Sequence, residues 1–388
     1  MADFPVKWFS SDMGGAPVLG DTAAGDFIAL LKACLVTGFN VTPVASANYE
    51  AESSEVQVTL TTGHGFKAWQ VIEVTGADQE VYNGQHRVTS VGSDWVRYVP
   101  DATPSVSPAT GTTIEIKAAP VGGWDVVAED VDNHRIALKR TDPRATGHVL
   151  VIENNGNEGQ YPSGGEHLAM MRVCDSFTDF DTFEEACTNY WPASHNWSNK
   201  DEWHFVGDSM LFYWIDRYAN SSKMSVFTAG QIESLMPGDA SCFVLNGIGS
   251  GSSYEWRSND IYYTDFGSFN YESFRKIARS YSQLPGSVSW QTMGIGSAFG
   301  DLASYPNPHD NGFYVATGKI LVTESGGIRG FMPGVLQPLQ SSSIYHAQII
   351  DNVPNLEGVP LLFLLVTKQQ AYGTDEVLVA WRLDGWDK

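Results

Sequence analysis

Between Val56 and Lys117 the chain repeats one local pattern: short runs that favour β structure, each stopped by turn-forming residues. Val56, Val58 and Leu60 alternate with Gln57 and Thr59, the period of a strand with one buried face. Gly63 and Gly65 bracket His64, a site for a tight turn. Val71 to Thr75 is a second run, ended by Gly76. Asn83-Gly84 is a hairpin signal, after which Arg87 to Val91 and Trp95 to Val99 read as two more strands. A loop with Pro100, Pro104 and Pro108 leads to a fifth run, Thr112 to Lys117. Roughly sixty residues in five short strands predict a small closed or nearly closed β module with no helix of its own.

The flanks decide how this module is carried. Residues 1–47 supply one helix and a strand or two, too little for an independent core. The expected organisation is a discontinuous body, 1–47 with 119–388, and an inserted module, 48–118. In the body, Phe27, Leu30, Leu31, Cys34 and Leu35 recur at helical spacing, so a helix is expected over Ala23 to Thr37, capped by Asp21-Thr22 and ended at Gly38. Beyond Ala119, strand-like runs recur every 8 to 15 residues or so, with turns at Asp142-Pro143 and Gly207-Asp208. Thr182 to Cys187 reads as a short helical turn, and Tyr271 to Tyr281 as irregular or helical. The fold class expected is mainly β (α+β): an antiparallel-sheet body with one N-terminal helix and a five-stranded, barrel-like insertion.

Charge excludes several functions. With 45 acidic against 23 basic residues the net charge is -22, which disfavours nucleic acid and anionic membrane surfaces as partners. The longest apolar runs, such as Val359 to Val366, are too short to span a bilayer. The start, Met1 to Trp8, has no basic segment followed by an apolar core, so synthesis and folding in a cytoplasm are expected. Cys34, Cys174, Cys187 and Cys242 form no C-x-x-C pair; buried, reduced thiols are expected, and neither metal nor cofactor.

Candidate chemistry is sparse. Val206-Gly207-Asp208-Ser209-Met210 resembles the Gly-Asp-Ser nucleophile block of SGNH-type esterases, but the Asp-x-x-His that supplies their base is missing downstream. A structural turn is the expectation, with no catalytic residue and no enzyme. Asp175, Asp179 and Asp181 lack the central glycine and terminal glutamate of a calcium loop and are expected in a solvated loop. Trp191, Trp197 and Trp203 form an aromatic cluster with nearby Asn and Asp. That composition fits sugar stacking as well as a core corner or an interface. Phe4, Trp8 and Phe9 make the N-terminal arm apolar, a candidate for reaching a neighbouring chain or an edge strand of its own sheet.

The stretch 56–117, with T-T-G-H-G-F, V-I-E-V-T-G-A, Y-N-G and a closing G-T, resembles a small β domain recurrent in tailed-bacteriophage virion proteins. The opening K-W-F-S-S-D-M-G-G-A-P-V-L resembles the start of a family of phage virion proteins. W-H-F-V-G-D at 203–208, M-P-G-D at 236–239, I-R-G-F-M-P-G at 328–334 and the closing W-R-L-D-G-W add to that likeness. The family usually ends nearer D-x-x-G-P-W-R, and this chain departs from it there. The resemblance implies a structural component of the virion tail, tail-tip or baseplate-associated, made in the host cytoplasm. Its implied partners are other virion proteins and further copies of itself in a ring or trimer. Alternatives are a receptor- or carbohydrate-binding tail protein using the Trp cluster on a host surface glycan, or a capsid decoration or neck protein.

Overall fold

Alternation of buried and outward residues along Glu55–Leu60 sets the first element: Val56, Val58 and Leu60 point into a closed barrel while Gln57 and Thr59 point out. In a computed structural model, residues 4–19, 24–61, 63–154, 168–193, 202–216, 224–247, 275–284, 286–291, 303–367 and 376–386 are described. The barrel runs Phe39–Glu50, Glu55–Leu60, Trp95–Tyr98, Gly84–Val91, Val71–Thr75 and Glu115–Ala118, and the last closes on the first. It therefore has six strands where the sequence pattern gives five. The additional strand, Phe39–Glu50, carries Pro43 and little alternation, which ordinarily argues against a strand. It forms because it bends across the barrel, with register shifts on both sides of Pro43 that re-aim its partners from Glu115 to Leu60. The boundary read at residue 48 falls inside this strand.

The two ends of the barrel meet. Phe39 pairs with Ala118, and a Cβ on Gly38 would stand 2.3 Å from the Ala118 carbonyl oxygen. Gly38 has φ 71, a conformation that side chains oppose. It ends the helical segment, which is α over Asp26–Lys32 and a wider π turn over Ala33–Thr37. Gly25, at φ 92, caps its start; Asp21-Thr22, the expected caps, lie outside the described residues. Phe27, Leu30, Leu31 and Leu35 are fully buried, as their spacing requires.

The body is antiparallel sheet. A seven-stranded sheet runs Lys7–Ser10, Trp203–Gly207, Leu211–Asp216, Ser225–Gln231, Phe243–Asn246, Arg275–Ile277 and Gly286–Ser287. A five-stranded sheet runs Thr182–Pro192, Leu168–Asp179, Val149–Glu153, Arg135–Arg140 and Trp124–Asp130. Thr182–Pro192 is thus a strand where a helical turn was expected. It pairs along nearly all of Leu168–Asp179, and that ladder overrides the weak local helical signal of T-F-E-E-A-C. The same pairing places Asp175 and Asp179 on a strand rather than in a loop. Arg275–Ile277 likewise pairs with Phe243–Asn246, so this part of Tyr271 to Tyr281 is strand. A four-stranded sheet (Glu233–Ser234, Gly327–Met332, Ile320–Glu324, Ser289–Gln291) and a five-stranded sheet (Val315–Ala316, Val335–Pro338, Glu376–Arg382, Leu361–Thr367, Gln348–Ile350) complete the fold.

Aromatic side chains join the layers. Trp191 packs edge-on to Phe27 of the helix and Phe212 of the seven-stranded sheet, and its indole N–H donates to the Asn246 carbonyl at 2.6 Å. Tyr213 meets Trp381 and Trp386 of the C-terminal segment. Arg87 of the barrel donates to the Leu383 carbonyl at 2.6 Å and lies over the Phe4 ring. The barrel is tied at both ends of the chain.

Candidate functional site

Strand Lys7–Ser10 separates two environments because its residues alternate. Phe9 faces the core, 5.4 Å from the Phe39 ring and 5.9 Å from its ladder partner Phe205. Trp8 and Ser10 face the other way. Ser10 pairs with His204 and Trp8 with Val206, so Trp8, Ser10 and His204 share one face of the sheet. A cleft of about 620 Å³ opens over that face, bounded by Asp12, by Lys67 and Trp69 of the barrel, and by Ala347 and Ile349 of the C-terminal sheet.

Three parts of the chain are locked at this junction. Gly14 N–H donates to the Gly65 carbonyl at 2.9 Å, a contact so close that a Cβ on Gly14 would overlap the His64 oxygen. Asn40 also donates to the His64 carbonyl, at 2.7 Å. Asp12 accepts from Lys67 and Ser10. Burial pushes the Asp12 carboxyl up, but these hydrogen bonds outweigh it and hold the group below the usual carboxylate range. On the far side, one oxygen of Glu202 lies 3.3 Å from His204 Nε2 and 3.2 Å from His346 Nε2.

Those contacts fix both tautomers. His346 Nδ1 accepts from the Leu365 N–H at 3.1 Å, so its Nε2 carries the proton that faces Glu202. A carboxylate can only accept, so His204 Nε2 also carries a proton. Burial drives the His204 pKa down against the pull of Glu202, keeping the ring neutral and its Nδ1 a bare acceptor. That Nδ1 and the Trp8 indole N–H are both buried and have no hydrogen-bond partner among the described residues.

The predicted residues divide. Trp8 and Phe9 are buried in the chain's own structure and Phe4 is half-buried against Arg87, so the arm is an edge strand whose rings are taken up internally. Trp191 and Trp203 are fully enclosed, and Trp203 donates to the Pro17 carbonyl at 3.2 Å; neither ring is open to a ligand. Trp197 lies outside the described residues. Asp208 accepts from the Met210 and Leu211 N–H groups at 2.8 and 2.9 Å, closing the hairpin turn before Leu211–Asp216. The Ser209 hydroxyl donates to Asp142 at 3.0 Å, a carboxylate already held by Arg144, rather than to a histidine. All four cysteines are buried and unpaired, and burial pushes Cys174, Cys187 and Cys242 up to about 12.

A second surface feature was not legible in sequence. Leu235, Tyr281, Leu284 and Ile328 are all strongly exposed, Tyr281 at 78%. They come from separate segments linked to one another by hydrogen bonds. Leu235 N–H donates to the Arg329 carbonyl at 2.9 Å, Tyr281 N–H to Glu324 at 2.6 Å, and Ser280 N–H to the Leu284 carbonyl at 2.7 Å. Tyr281 and Ile328 line one shallow hollow of about 330 Å³. Beneath them Arg329 is clamped between Asp239 and Glu324, all three side chains nearly fully buried.

No protein-family model matches the chain, and no curated protein matches it. Among solved structures, phage phi92 endosialidase aligns over 88% of this chain and 70% of its own length, at 11% identity and a TM-score of 0.19. A likeness at that score carries no argument about fold or activity. Among the described residues, no helix is long and apolar enough to cross a membrane.

Proposed function

We propose that this protein is a structural component of a tailed-phage virion, associated with the tail tip or baseplate, and that it acts through symmetric interfaces with further copies and other virion proteins. The observation that carries the interface reading is the exposed apolar group Leu235, Tyr281, Leu284 and Ile328. Single exposed apolar residues are ordinary, but Tyr281 and Ile328 line one hollow, with Leu235 and Leu284 exposed on the segments hydrogen-bonded beside it, and clustered apolar exposure marks a contact site. Rigidity comes from the buried Arg329 clamp and the four-stranded sheet beneath. The placement in a virion rests on the resemblance of the opening, the 56–117 module and the later turn motifs to phage virion proteins.

A ring or trimer closes when this patch on one copy meets a different surface of the next and the rotation between them is a simple fraction of a turn. Each copy carries -22 charges, so association works against repulsion and strengthens as salt screens it. Mass measurement by light scattering tests the reading. The purified chain is expected at an integral multiple of 42.4 kDa, and a Tyr281→Ser/Ile328→Asp variant at the single-chain mass. A wild-type protein that stays at the single-chain mass at every concentration and salt level overturns it.

A further inference from the structure

Tyr281 and Leu284 stand on a short turn between Arg275–Ile277 and Gly286–Ser287, exposed at 78% and 65%. The Ser280 N–H donates to the Leu284 carbonyl and the Gln283 N–H to the Ser280 carbonyl, at 2.7 and 2.9 Å, which closes the turn on itself. Glu324 anchors it to the sheet: one oxygen accepts from the Tyr281 N–H at 2.6 Å and the other from Arg329 at 2.7 Å. Arg329 is held in turn by both oxygens of Asp239, which also accepts from the Ser234 hydroxyl at 2.6 Å. The Leu235 N–H donates to the Arg329 carbonyl, and Ile328 precedes Arg329 in the chain. One buried network thus reaches the backbone at Leu235, Tyr281 and Ile328.

The surface above it is uncharged. Segments 235–238, 280–284 and 325–328 contain no Asp, Glu, Lys or Arg, in a chain with 45 acidic and 23 basic residues. Beneath them Arg329 and Glu324 neutralise each other, their side chains 4% and 7% exposed. Like charges juxtaposed across an interface oppose binding, so two copies that each carry -22 must meet where at least one brings no charge. A strongly charged partner finds nothing here to pair with. The occupant this chemistry fits is an uncharged face of a second copy.

We infer that Glu324 is the positioning residue of this contact surface: it holds Tyr281 in the conformation that a second copy meets, so the turn is ordered before the copies associate. This rests on the interface reading above. A turn that ordered only on contact would subtract its conformational entropy from the affinity, and an anchored turn avoids that loss. A carboxylate is needed because both oxygens must accept. Glutamine offers one acceptor and one NH₂ donor, so either the Tyr281 N–H or the Arg329 guanidinium would face a donor. Arg329 keeps its two bonds to Asp239, and the surface turn is the part that gives way.

Sedimentation equilibrium on the full chain measures association, and amide hydrogen exchange read by mass spectrometry reports the turn. Wild type is expected to self-associate with residues 280–284 protected. Glu324→Gln is expected to exchange faster over that segment and to associate roughly tenfold more weakly, the effect of losing one hydrogen bond to a charged acceptor. Gly38→Ala, which strains the closure of the barrel and leaves the surface untouched, is expected to associate as wild type. An equal weakening in both variants reduces the effect to fold stability and overturns the inference. Glu324→Gln that associates as tightly as wild type also overturns it, while the interface itself stands. Wild type that stays a single chain at every concentration overturns the interface and the inference together.

Discussion

Removing Arg329 is the substitution from which the structure predicts the largest defined loss. Arg329 makes a two-pronged contact with Asp239, at 2.8 and 2.9 Å, and a third bond of 2.7 Å to Glu324. The three side chains are 4%, 2% and 7% exposed, so water does little of the screening. At an effective dielectric near 20, a pair at this separation attracts by about 6 kcal/mol. Desolvation opposes this by several kcal/mol per ion, so the intact triad contributes little net stability. Arg329→Met keeps the volume but strands two buried carboxylates, and the expected loss is about 3–5 kcal/mol in urea denaturation followed by tryptophan fluorescence. Replacing the whole triad, Arg329→Met with Asp239→Leu and Glu324→Met, is expected to recover most of that loss.

The pH dependence has a defined sign. Burial raises the Asp239 pKa, but hydrogen bonds from Arg329 and Ser234 outweigh it, and the folded value lies below the ordinary one near 4. Its stabilisation is therefore complete above that ordinary value and is lost as pH falls through the lowered folded value. Without Arg329 burial dominates and the carboxyl takes up a proton on folding, so the gap between variant and wild type narrows from pH 7 to pH 4. A loss below about 1 kcal/mol at pH 7, or a gap that widens in acid, refutes this account of the clamp.

Three further outcomes follow from the barrel and the turns. Gly38→Ala places a Cβ 2.3 Å from the Ala118 oxygen at φ 71, and is expected to cost about 2–4 kcal/mol in the same denaturation assay. If the barrel is an insertion, a chain joined from Gly38 to Ala119 by a short Gly/Ser linker keeps the β circular dichroism and cooperative melting of the body. Joining at residue 47 instead leaves part of Phe39–Glu50 without its partners and is expected to aggregate. Asp208→Ala removes the acceptor for two backbone N–H groups and is expected to cost about 1–2 kcal/mol by thermal melting, against about 0.5 for Ser209→Ala.

Local periodicity made much of the fold legible. The alternation of Val56, Val58 and Leu60 and the helical spacing of Phe27 to Leu35 each corresponds to an observed element, whereas the turn expected at Asn83-Gly84 lies earlier, at Glu80–Tyr82, with Gly84 already in the strand. What escaped were elements whose stability is non-local. Phe39–Glu50 contains Pro43 and is held by partners on two sides, and Thr182–Pro192 exists because a twelve-residue strand lies beside it. The cleft was invisible for the same reason. Trp8 meets His204 through a ladder between residues far apart in sequence, and the unpartnered Nδ1 follows from where Glu202 and His346 lie. Aromatic content marked Trp191 and Trp203 as important, but composition does not distinguish a ring that packs a core from one that stacks a ligand.

The claim that organises the rest is that this chain builds part of a phage tail by contacts between copies. An electron cryomicroscopy reconstruction of particles carrying the chain tests it most directly. The account predicts symmetry-related copies of the six-stranded barrel and its β body at the tail tip or baseplate, with Leu235, Tyr281, Leu284 and Ile328 covered by a neighbour. Tails without this density, or copies whose Tyr281 and Ile328 face open solvent, contradict it.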